Sequence, residues 1–150
     1  MTTMNIRTSV EINANAAQAW ALLGEGFGEW ASWAPGIDTS TLKGALAQGV
    51  IRVNETPSLG TVEQELVVFD RDAKALAYEM VSGLPPMFSR LRNDWTIEEV
   101  APGRCRLDGD ALFEIREQAA AMKPQLEGKM GMVLEVFAQS VRKQLEGAEA

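Results

Sequence analysis

The chain has 150 residues, 46% of them hydrophobic and 23% charged, and carries a formal net charge of -7. That length suits a single domain spanning 1–150 with a sizeable core, and the negative charge argues against nucleic acid or an anionic lipid surface as partner. Histidine is absent and Cys105 is the only cysteine, which excludes His-dependent triads, most zinc chemistry and an intramolecular disulfide, so no metal or cofactor is expected.

From Met4 to Ile12 apolar and polar residues alternate, the period-two signature of a half-buried strand. Asn13 or Asn15 then offers an N-cap to an Ala-rich helix through Leu23, with Ala16, Ala19, Trp20 and Leu23 on one face and Gly24 and Gly26 at its end. A second short helical turn, around Phe27 to Trp33, must stop at Ala34-Pro35-Gly36, because the residue before proline is pushed out of the helical region. Six further strands are predicted at Thr39–Gly44, Val50–Glu55, Thr61–Asp70, Ala75–Ser82, Ser89–Val100 and Arg104–Ile115. Their connectors are short, as in Asp70-Arg71-Asp72 and Ala101-Pro102-Gly103, so the strands form an antiparallel meander.

Met122, Leu126, Met130, Val133, Phe137 and Val141 then recur at spacings of three and four, predicting a long amphipathic helix from about Pro124 to Leu145. The expected fold is α+β: a seven-stranded curved antiparallel sheet around the C-terminal helix, with two short helices after strand one. No stretch is apolar enough for a membrane span, so no integral membrane association is expected. Met1 to Glu11 lacks a signal-peptide pattern, which makes a cytoplasmic location the default expectation.

The order of these elements resembles the START-like (SRPBCC) superfamily, the polyketide cyclase/dehydrase and lipid transport family. Its local carriers are Val10-Glu11-Ile12-Asn13-Ala14 leading into Trp20, Phe27…Trp30…Trp33-Ala34-Pro35, Gly49-Val50-Ile51-Arg52, Leu66 followed by Asp70, and Tyr78 followed by Gly83 and Pro85. The resemblance spans almost the whole chain. It implies a helix-grip fold with a cavity for a hydrophobic small molecule, and it supports a pocket better than a reaction. Where related sequences often carry an acidic residue two before Leu66, this chain has Gln64, which puts a proton-transfer role there in doubt.

Alternation assigns inward positions to Val62, Leu66, Val68, Leu76, Met80, Leu91, Ile97, Leu107, Ala111 and Phe113. Gln64, Tyr78 and Asn93 are the polar exceptions on that face, where an unpartnered polar atom costs roughly 1–3 kcal/mol. Hairpin registers set Gln64 diagonal to Tyr78, Tyr78 beside Asn93 or Trp95, and Trp95 near Gly109, an inward glycine that leaves room over the sheet. These residues, with Trp30 and Trp33 at one end, are the candidate ligand-binding set. The alternative is a filled core in which the polar groups satisfy one another.

Arg52 is a further candidate on which two lines disagree. Ile51 and Val53 read as the inward pair, sending Arg52 to solvent and an ion pair with Glu63 or Glu65, whereas the Gly-Val-Ile-Arg motif suggests a functional place. Glu63 and Glu65 themselves read as a solvated face, and Cys105 as a small buried hydrophobe. The connector Gly83-Leu84-Pro85-Pro86-Met87-Phe88 is unusually apolar for a hairpin loop. Leu84 and Met87 would gate the cavity against Trp30 or Trp33, or else cap the core or meet a second subunit, leaving monomer and homodimer both open. No catalytic residue is identified. Binding without chemistry is the expectation, and a cyclase/dehydratase-type enzyme using Tyr78 with Asn93 or Gln64 is the alternative.

Overall fold

Alternating residues of β1 (Thr2–Ile12) place Met4, Val10 and Ile12 in the core, and the chain then enters helix α1 (Ala16–Trp20). The computed structural model describes residues 2–147. Asn15 is the N-cap: its side chain accepts from the Gln18 amide while the Gln18 side chain accepts from the Asn15 amide, a reciprocal capping box. The helix runs on through a π-helical turn, Ala21–Glu25, and a 3-10 turn, Phe27–Ser32, ending before Pro35 as expected. Gly24 is required here, since a Cβ would lie 2.5 Å from the Trp20 ring.

Six strands follow: β2 (Thr39–Leu42), β3 (Ile51–Thr56), β4 (Gly60–Asp70), β5 (Ala75–Ser82), β6 (Phe88–Ala101) and β7 (Arg104–Ile115). With β1 they form one seven-stranded sheet in the order β1-β7-β6-β5-β4-β3-β2, with every pair antiparallel. Sequential hairpins run from β2 to β7, and β1 closes against the last strand.

A 3-10 turn (Glu117–Met122) leads into α2 (Lys123–Gly147), which packs across β1 and β7. Pro124 sits in the first turn, where its missing N–H leaves no helical bond unmade. The buried face is Leu126, Leu134, Ala138 and Val141, with Met130, Phe137 and Leu145 partly buried beside it. Val133, expected on that face, is 55% exposed, and Leu134 takes its place. Both residues fit a three-four spacing, and the face that covers the sheet is the one continued by Ala138 and Val141.

Two irregularities shift the pairing of β4 with β5, one leaving Val81 of β5 unpaired between the partners of Glu63 and Gln64, the other leaving Val67 of β4 unpaired between Leu66 and Val68. After the second, Val68 pairs with Ala77 and Phe69 with Leu76. Phe69 is therefore the residue on the face of core residue Leu76, stacked on Trp20 at 5.3 Å, and Val68, expected inward, is not. A bulge inserts one residue and exchanges the faces beyond it.

Candidate functional site

The registers of β4 to β7 bring most of the candidate set together. Leu66 pairs with Tyr78, Gln64 with Met80, Tyr78 with Asn93, and Trp95 with Gly109, so Gln64 is diagonal to Tyr78 as expected. Tyr78 and Trp95 are buried, and the Trp95 indole N–H donates to the Tyr78 hydroxyl at 3.2 Å. Asn93 is half-buried on the same face. The room over Gly109 is taken by Trp95, because a Cβ there would lie 2.8 Å from Trp95 Cε3 and Cη2.

Aromatic rings line this face. Phe137 of α2 reaches down to Trp95 at 4.9 Å, Trp30 at 5.1 Å and Trp33 at 5.5 Å. Trp30 meets Tyr78 edge-on at 5.5 Å and Phe27 at 5.5 Å. Trp30 is buried and donates its indole N–H to the Leu23 carbonyl, whereas the buried Trp33 Nε1 has no hydrogen-bond partner among the described residues. Leu84 and Met87 pack on the edge of the core, and Phe88 stacks on Phe113 at 5.0 Å. The ring partners of Trp30 and Trp33 are each other, Phe27, Tyr78 and Phe137.

Arg52 overturns the alternation reading of β3. It is 1% exposed, Asn54 is 3% exposed, and Ile51 and Val53 are only half-buried. The physical reason lies in the pairing with β4: Arg52 is opposite Gln64 and Asn54 opposite Val62, while Ile51 and Val53 face Glu65 and Glu63. Residues directly opposite share a face. Glu63 and Glu65 thus lie on the outer face as expected, with Glu63 bound to Lys43 at 2.5 Å, and Arg52 pairs with neither.

The Arg52 guanidinium donates from Nε and Nη2 to Gln64 Oε1, at 3.1 and 2.5 Å, and from Nη1 to the Phe27 carbonyl at 2.9 Å. Asn54 donates to the same Gln64 oxygen at 3.1 Å and accepts from Ser40 at 2.6 Å. The charge lies 3.8 Å from the Phe27 ring centroid, 4.1 Å from Trp30 and 5.1 Å from Tyr78, within the range of cation–π attraction. Burial pushes its pKa down to about 10, and the nearby Tyr78 phenol partly opposes this. Burial also raises the Tyr78 phenol, against the pull of Arg52, so Tyr78 is neutral at pH 7. Cys105 is fully buried with its thiol pushed up by burial, which fits a small core residue and not a nucleophile.

Sequence reading missed Asn54 as a partner of the site. The available signal was the Gln64 assignment, since the hairpin between Thr56 and Gly60 sets Arg52 opposite it and Asn54 one inward position on.

Among the described residues, no helix is long and apolar enough to cross a membrane. No curated protein matches the sequence. Solved structures share its fold: norcoclaurine synthase of Thalictrum flavum, a point mutant with a transition-state analogue, is 13% identical with a TM-score of 0.79, covering 99% of this chain and 98% of its own. A START superfamily protein from Mycobacterium smegmatis is 15% identical with a TM-score of 0.79, covering 96% and 98%. A protein from Thermobifida fusca is 27% identical with a TM-score of 0.72, covering 95% of each chain. The START-like helix-grip architecture expected from the residues is thus present, and the sequence matches across residues 3–148, so the chain belongs to the polyketide cyclase/dehydrase and lipid transport family.

Proposed function

We propose that this protein binds a hydrophobic small molecule between the inner face of the sheet and α2, among Tyr78, Trp95, Trp30, Trp33 and Phe137. The observation that carries the reading is the polar set beneath these rings, buried Arg52, Asn54 and Tyr78 with half-buried Gln64. An apolar wall with a few convergent polar groups is the usual make-up of a small-molecule site, and an ordinary core seldom holds a buried cation. Family membership supports the same reading at the level of ligand class. Mass spectrometry of the freshly purified native protein tests it. A small molecule that dissociates on denaturation is the expected result. Copurification of nothing, together with no heat released on titrating lipids, polyketides or aromatic compounds, counts against it.

A second reading, cyclase- or dehydratase-type chemistry on a carbonyl substrate, draws on the juxtaposition of the Tyr78 phenol and the Arg52 guanidinium. A guanidinium is a donor to a developing oxyanion, and a neutral phenol can supply a proton. Turnover of a carbonyl substrate that is lost in Tyr78→Phe, with binding retained, would favour this reading over binding alone.

A further inference from the structure

Arg52 holds a full positive charge inside an aromatic shell, and every acceptor it meets is neutral. Among the described residues its hydrogen bonds go to one side-chain amide oxygen and one main-chain carbonyl, with the neutral Tyr78 phenol beside it. No carboxylate of the described residues forms an ion pair with it, although the chain carries 21 acidic residues and pairs its other arginines freely. Buried charges in proteins are ordinarily paired with an opposite charge or neutralised. Here an arginine, the side chain least able to give up its proton, stays unpaired.

Resting on the pocket reading above, we propose that the ligand is a hydrophobic anion, a carboxylate on an acyl or aryl body, and that Arg52 receives its carboxylate.

Three features of the surroundings fit this class. The guanidinium has five N–H donors and, among the described residues, three hydrogen bonds with the Tyr78 phenol beside it, so its capacity is not exhausted. Besides its ring contacts, the 3-10 turn Phe27–Ser32 is hydrogen-bonded to the guanidinium through one main-chain carbonyl, that of Phe27. A carboxylate that takes the place of this carbonyl exchanges a neutral acceptor for a charged one, and charge-assisted bonds are roughly twice as strong. Gln64 fits as well: an amide there orients the fork through its oxygen without neutralising it, where a glutamate would occupy the site with a permanent counter-ion. The rings of Phe27, Trp30 and Tyr78 around the guanidinium then give the ligand's apolar body its contacts.

The test compares matched acids and amides on the unmodified protein: decanoate against decanamide, and biphenylcarboxylate against biphenylcarboxamide, by titration calorimetry at neutral pH. At least one acid should bind about tenfold or more tightly than its amide, the scale set by a desolvated charge-assisted contact. That preference should vanish in Arg52→Met and persist in part in Arg52→Lys, which keeps the charge and loses the fork. Equal binding of acid and amide, tighter binding of the amide, or an undiminished preference for the acid in Arg52→Met would overturn the inference and leave the hydrophobic pocket standing. Failure of all four compounds to bind at millimolar concentration would remove both readings together.

Discussion

Replacing Arg52 by methionine should change the stability of the protein far less than its complete burial would suggest. Burial lowers the guanidinium pKa by more than two decades from its ordinary value, to about 10. At about 1.4 kcal/mol per pH decade, keeping it charged in the folded state costs about 3 kcal/mol. Methionine removes that penalty and fills much of the same volume with an unbranched apolar chain. Against this, the Phe27 carbonyl loses its donor, at about 1–3 kcal/mol, and the ring contacts with the cation are worth roughly 0.5–2 kcal/mol. Gln64 Oε1 keeps its bond from Asn54. These contributions offset, so Arg52→Met should lie within about 2 kcal/mol of the parent, in the manner of other buried charges exchanged for apolar residues. Urea unfolding followed by tryptophan fluorescence measures the difference. The sign with pH is also fixed: the folded pKa lies below the unfolded one, so above about pH 10 the unfolded chain binds more protons and stability rises with pH. Relative to Arg52→Met, the parent should gain about 1 kcal/mol between about pH 9 and pH 11. A loss of more than about 4 kcal/mol in the mutant would show Arg52 to be a structural keystone, and a difference flat with pH would refute the buried unpaired charge.

Gly109→Ala places a methyl against the buried Trp95 ring and should destabilise by about 1–3 kcal/mol, read as a lower urea midpoint at unchanged slope. Leu134→Asp, which buries an unpaired charge, should abolish cooperative melting, while Val133→Asp on the exposed side of α2 should stay within about 0.5 kcal/mol of the parent. The reverse order would restore the helix face read from the sequence.

Strand positions were legible because each hairpin is short and each strand alternates. Asp70 to Ala75 and Ala101 to Arg104 are tight connections, which fix the pairing on either side of them. Trp95 near Gly109 follows from the second of these turns, whereas Tyr78 opposite Asn93 depends on the longer connector between β5 and β6, which leaves Asn93 and Trp95 both open as its neighbour. Two errors share one cause, the presence of more apolar residues than the core can use. Val133 and Leu134 both satisfy helical spacing, and only the shape of the sheet beneath decides between them. Val68 and Phe69 are both apolar neighbours, so the bulge that exchanges them leaves no mark in the pattern.

Arg52 was misread for a different reason, and it bears directly on function. Ile51 and Val53 are the more hydrophobic residues of β3, yet they lie on the outer face over Glu65 and Glu63, while Arg52 and Asn54 face the core. Stability alone would favour the opposite pattern, since turning the charge outward would free the folded state of a penalty of about 3 kcal/mol. A sequence that specifies its fold consistently at every level breaks the hydrophobic pattern where some other demand is met. Here the break falls beneath Trp30 and Tyr78, at the one place where β3, β4, β5 and the Phe27–Ser32 turn converge on a single guanidinium. A bound anion at this break in the pattern would offset the cost of burying the guanidinium, so here the departure from patterning and the energetics of a ligand meet at one residue.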